Sequence, residues 1–147
     1  MRYSNVVAVS GTIAQVEKTL DIHGTPPELA GQRCDELLCQ QYWYGGSLES
    51  PANVVFLHVS SRWHRLTFDY GNIFWSIERE RPAAEALPEI EAEYRIDDLG
   101  RHLAVNGLLI QSYDTRPTLE GAEVEFHFEG GRSVTFRDTG EQTVFIA

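Results

Sequence analysis

The segment Thr25-Pro26-Pro27-Glu28-Leu29-Ala30-Gly31-Gln32-Arg33-Cys34-Asp35-Glu36-Leu37-Leu38-Cys39-Gln40-Gln41-Tyr42-Trp43-Tyr44-Gly45-Gly46 decides how the rest of the chain is read. Thr25 can cap a helix, Pro26 suits the first helical position, and Glu28 stands three residues after the cap, where its carboxylate can reach back. Leu29, Ala30, Cys34, Leu37 and Leu38 then share one side of a 3.6-residue period. Arg33, Glu36 and Gln40 take the other side, and Gly45-Gly46 ends the run. This spacing predicts one major amphipathic helix over about residues 25–42, its apolar face laid on a sheet.

Downstream, the pattern changes to hairpins. Asn53–Val59 and Trp63–Tyr70 read as strands joined by Ser60-Ser61-Arg62, with Phe56 opposite Leu66 and Val54 opposite Phe68. Gly71-Asn72 turns into Ile73–Glu78. Ile90, Ala92, Tyr94 and Ile96 alternate with Glu89, Glu91, Glu93 and Arg95, giving one apolar and one charged face. Asn106-Gly107 is a type I′ signal that would pair Val105 with Leu108. Val124, Phe126 and Phe128 alternate with Glu123, Glu125, His127 and Glu129. A loop at Gly130-Gly131-Arg132 would set Phe126 opposite Phe136 and Glu125 opposite Arg137.

Upstream, residues 3–9 read as a strand, while residues 12–22 fit both a helical and an alternating pattern and stay open, with strand favoured. The expected fold is therefore α+β: a mainly antiparallel sheet of about seven to nine strands with one major helix, forming a single domain over residues 1–147.

Charge narrows the partners. The chain carries 22 acidic against 12 basic residues, a net charge of −10. Nucleic acid and anionic membrane both demand clustered Lys and Arg, so neither is expected as a partner, whereas a basic protein is. No apolar run reaches the length of a membrane span, and the apolar stretch behind Met1-Arg2 is too short for a signal peptide. Cys34 and Cys39, read on the same helix, point about 140° apart and cannot bridge. Free thiols and the missing leader point to a cytoplasmic protein.

Catalytic and cofactor signatures are absent from the sequence. There is no GxGxxG, P-loop, HExxH or EF-hand loop, so no cofactor is expected. Gly46-Ser47 lacks the flanking glycines of a nucleophile elbow, and Cys34 falls on the apolar helix face, where thiols are inert. His58 and His64 would face each other across their hairpin, but no third ligand lies nearby, and no bound metal, zinc or iron, is expected in this protein. Asp97 and His102 read as a cross-strand ion pair. No catalytic residue is assigned.

Contact surface is the better reading for the rings and the acids. Tyr42, Trp43 and Tyr44 are consecutive and cannot all enter one core; Phe74 and Trp75 pose the same problem on a strand. Trp43, Tyr44 and Trp75 are therefore candidate contact residues. Glu89, Glu91 and Glu93 in one acidic run, and Glu123 and Glu125 in another, are candidate docking charges that would steer a basic partner.

The run Val124-Glu125-Phe126-His127-Phe128-Glu129-Gly130-Gly131-Arg132-Ser133-Val134-Thr135-Phe136-Arg137-Asp138 resembles the closing hairpin of many small bacterial proteins, several of them immunity proteins of polymorphic toxin systems. The resemblance covers the C-terminal hairpin alone and carries no functional residue across. It implies a non-catalytic acidic protein that neutralises a cognate toxin by protein–protein contact. The alternative is a small-molecule-binding or catalytic domain with an aromatic pocket between helix and sheet. Self-association stays open.

Overall fold

Stretches rich in β-branched and aromatic residues, broken by Gly, Ser and Asp at the corners, fold this chain into two β-sheets. The computed structural model describes the backbone of residues 2–10 and 15–147, and side-chain surroundings from Leu20 onward. Its strands are β1 (Arg2–Ser10), β2 (Gln15–His23), β3 (Glu36–Tyr44), β4 (Ser47–Val59), β5 (Arg62–Asp69), β6 (Asn72–Glu78), β7 (Glu85–Leu87), β8 (Ala92–Asp97), β9 (Ile110–Pro117), β10 (Ala122–Phe128), β11 (Arg132–Asp138) and β12 (Thr143–Ile146). One short helix, α1 (Leu99–His102), follows β8. No helix among the described residues is long and apolar enough to cross a membrane.

The larger sheet has the order β1-β2-β6-β5-β4-β3-β8-β7, and the smaller has the order β12-β11-β10-β9. All pairings are antiparallel except β2 with β6, joined through Asp21–His23. One continuous core lies between the sheets. Leu37, Val55, Leu57, Leu66, Ile73 and Trp75 come from the larger sheet, and Val124, Phe126, Phe128, Val134 and Phe136 from the smaller. A second cluster of Leu38, Val54, Phe56 and Trp63 is buried on the other face of the larger sheet.

That second cluster explains the principal correction. Residues 25–42 do not form a helix: the fold is all-β, with two sheets and no major helix, not α+β. Leu37 and Cys39 face the inter-sheet core and Leu38 faces the outer cluster, so three consecutive residues are buried on a strand covered on both sides. Such a strand reads as a continuous apolar run, and here the run mimics helical spacing. Pro27 also disfavours helical angles at Pro26, since the residue before a proline is pushed towards extended backbone. Residues 29–34 instead lie against the chain before β9. The N–H of Gly31 donates to Ile110 O at 2.8 Å, and that of Cys34 to Leu108 O at 2.9 Å. Cys34 and Cys39 are both free and buried.

Turn chemistry accounts for the register corrections. Gly45-Gly46, Ser60-Ser61 and Tyr70-Gly71 all have positive φ at both positions, the signature of two-residue type I′ hairpins. Gly45-Gly46 thus joins β3 to β4 rather than stopping a helix. Ser60-Ser61 sets Leu66 opposite Val55, and Arg65 opposite Phe56, one residue away from the expected register. His58 therefore pairs with Trp63 and stacks on its ring at 4.6 Å, while His64 points to the opposite face. Asn106-Gly107 closes no hairpin and follows α1 as a turn, with Leu108 N–H donating to Val105 O at 3.1 Å.

The β10–β11 hairpin does have a three-residue loop, but at Glu129-Gly130-Gly131, so Phe126 lies opposite Val134 and Val124 opposite Phe136. Phe126 and Phe136 keep the same buried face as diagonal neighbours, 6.0 Å apart. Gln15–His23 is a strand, and residues 11–14 lie outside the described residues.

Candidate partner-binding cleft

Chain direction brings three turns to one end of the molecule. Antiparallel pairing places the β3–β4 turn and the β5–β6 turn together, and the β11–β12 turn of the smaller sheet lies against them. Between them opens a cleft of about 610 Å³. Its wall on the larger sheet carries Tyr42, Tyr44 and Glu49, with Phe68, Asp69 and Tyr70 from the next turn. The smaller sheet adds Asp138, Glu141 and Thr143. Among the described residues, four carboxylates and three phenols line this space, and no Lys, Arg or His does.

Asp138 forms the floor. It is only 5% exposed, its Oδ2 accepts from Gly71 N–H at 3.3 Å, and its Oδ1 accepts from Gly140 N–H at 2.8 Å. One carboxylate therefore fastens the β5–β6 turn to the β11–β12 turn. Gly121 fits against the same carboxylate only because it lacks a side chain: a Cβ there would stand 2.6 Å from Oδ2. Ser50 Oγ adds a further tie between the sheets, donating to Thr143 O at 3.2 Å. At the rim, Tyr44 and Tyr70 are 51% and 76% exposed.

The residues singled out in the sequence divide among five places. Tyr44 lines the cleft. Glu89 and Glu91 are exposed at the same end of the larger sheet, where Gly45 N–H donates to Glu91 O at 2.8 Å. Trp43 and Glu93 belong to a closed unit: the Arg95 guanidinium lies 3.9 Å from the centre of the Trp43 ring and donates to Glu93 Oε1 at 2.6 Å. Trp75 is buried between the sheets against Tyr113 and Phe126, so it is removed from the contact set.

Glu123 and Glu125 stand on the outer face of the smaller sheet and are already partnered. Glu123 accepts from Arg137 at 2.8 Å and from Arg116 at 3.0 Å, and Glu125 accepts from Arg116 at 3.0 Å. Burial would raise the Glu123 carboxyl, but the hydrogen bonds from Arg137 and Arg116 outweigh it and hold it below its ordinary value.

Glu49, Asp69, Asp138 and Glu141 were not singled out. They come from three turn regions, Glu49 beside the β3–β4 turn, Asp69 beside the β5–β6 turn, and Asp138 and Glu141 at the β11–β12 turn, and no local run or periodicity marks them. Their common feature, convergence at one end of the two sheets, exists only in the fold.

The cleft presents carboxylates and phenols. Its lining offers acceptors and ring faces suited to a guanidinium or ammonium group. The two thiols lie elsewhere; burial, with Asp35 adding to it, pushes the Cys34 thiol up to about 12, and burial pushes Cys39 up as well, so both stay protonated. His102 Nε2 and Asp97 Oδ1 meet at 3.2 Å, with His102 carried on α1 instead of a strand. No protein-family model, curated protein or solved structure matches this chain.

Proposed function

We propose that this chain is a non-catalytic binding protein that takes a basic segment of a protein partner into the cleft between its two sheets. A cytosolic toxin domain is the partner in the immunity reading. The observation that carries the proposal is the lining itself: among the described residues it holds four carboxylates and three tyrosines and no basic side chain. An Arg or Lys of the partner would exchange water for charge-assisted hydrogen bonds and a phenol face. Glu89 and Glu91, near the rim, extend the negative field that steers the approach. The acids of the smaller sheet's outer face contribute little, since Arg116 and Arg137 already hold them.

The test begins with the immobilised chain and a lysate of its native cells. A basic protein should be retained at low salt and released as salt rises. The double variant Glu49→Lys/Asp69→Lys should retain markedly less of it. Stopped-flow mixing of the isolated pair at two ionic strengths should show salt-dependent association. Equal retention by the double variant, or copurification of a small cationic metabolite alone, would sink the protein-partner reading.

A further inference from the structure

A separate cluster stands on the outer face of the four-stranded sheet. Asp114 on β9 and Glu125 on β10 are direct cross-strand partners, a placement in which two like charges repel. His127 lies two residues along β10 on the same face. Its Nε2 is 2.9 Å from Asp114 Oδ2 and 3.5 Å from Glu125 Oε1. One donor atom from each of the three residues lies within 4.8 Å of the others. The neighbouring cations do not balance this set. Arg137 is engaged with Glu123, while Arg116 holds Glu123 and Glu125 at 3.0 Å and stands 3.9 Å from Asp114.

We propose that Asp114, Glu125 and His127 bind a divalent transition-metal cation of the zinc type. One imidazole nitrogen with two carboxylate oxygens suits a borderline ion, whereas magnesium and calcium favour all-oxygen shells. Ligand bonds of roughly 2.0–2.2 Å require the three donors to draw in around the ion by side-chain rotation, with the strands left in place. Asp114, His127 and Glu125 are all reached by water, which completes the coordination. The bound ion removes the Asp114–Glu125 repulsion and clips β9, an edge strand, to β10. Arg116 opposes it: its guanidinium competes for Glu125 and must fall back on Glu123.

The experiment is calorimetric titration of the full chain with zinc chloride at neutral pH after chelator treatment and desalting, with thermal melts in parallel. One saturable equivalent is expected, with a rise in Tm. His127→Ala and Glu125→Gln should each weaken binding by about tenfold or more and abolish the rise. Arg116→Gln should tighten it several-fold, and His102→Ala, at a distant His–Asp pair, should leave it unchanged. Absence of saturable uptake by the wild-type chain, or uptake undiminished by His127→Ala, overturns the site.

Discussion

Two regions of this molecule are rich in carboxylates and differ in what faces them. On the outer face of the smaller sheet, Glu123 and Glu125 are held by Arg116 and Arg137. At the end of the larger sheet, Glu49, Asp69 and Glu141 surround a cleft whose lining, among the described residues, contains no base. The first group clusters in sequence and is paired with arginines; the second is scattered in sequence and meets no base among the described lining residues. Local acidity in a sequence therefore measures neither free charge nor the field a partner meets. Strand pairing decides both, because it sets which side chains cross from one strand to the next.

The contrast can be tested most strongly at Asp138, an acid of the cleft held by backbone N–H groups in place of arginines. Asp138→Ala leaves the part-buried amides of Gly71 and Gly140 without their acceptor. The expected loss is about 3 kcal/mol in a urea melt, from two charge-assisted hydrogen bonds and the desolvated donors. Asp138→Asn should lose less, since one oxygen still accepts while its amide opposes the other N–H. A loss under about 1 kcal/mol for Asp138→Ala would mean that this carboxylate does not fasten the turns.

The next effect separates the two regions by function. Glu49→Lys with Glu141→Lys should slow association with a basic partner by about tenfold at low salt, the equivalent of about 1.4 kcal/mol. Glu125→Gln, on the arginine-held face, should change the rate by less than about twofold. Stopped-flow measurement of both variants decides it; equal slowing would show that the partner meets the whole field of the protein and not the cleft.

How much of this was legible depends on how many faces of a strand are buried. In β10, Val124, Phe126 and Phe128 enter the core while Glu123, Glu125 and His127 stay outside, so alternation alone announced the strand. In β3, Leu37, Leu38 and Cys39 are all buried, and the alternation that marks a strand is erased. The hairpin at Ser60-Ser61 was hidden for a different reason: serine at positive φ carries none of the Gly or Asn signal of a type I′ turn. Tyr44 was found because three consecutive rings cannot share a core, an argument that holds for helix or strand. The cleft acids could not be found by that kind of reasoning. Each is an ordinary residue at a strand end or turn until the two sheets are packed.

The smallest effect sharpens the comparison from the arginine-held side. In the folded chain, hydrogen bonds from Arg137 and Arg116 keep the Glu123 carboxyl below its ordinary value against the opposing pull of burial. A carboxylate depressed on folding stabilises the protein fully above its unfolded value, about 4.3, and that contribution is lost as pH falls through the lower folded value. Arg137→Gln removes one of the two partners and should cost about 0.5–1 kcal/mol at neutral pH, the usual worth of a partly exposed pair. The decisive observation is how the gap between wild type and variant varies with pH. It should be constant from neutral pH down to about pH 5, then narrow as Glu123 takes up its proton and the lost partner ceases to matter. Urea melts at half-unit steps below pH 5 would trace this. A gap that stays constant through that window would mean that Arg137 stabilises the strand by packing its side chain, and that the outer face is less electrostatically tied than its distances imply.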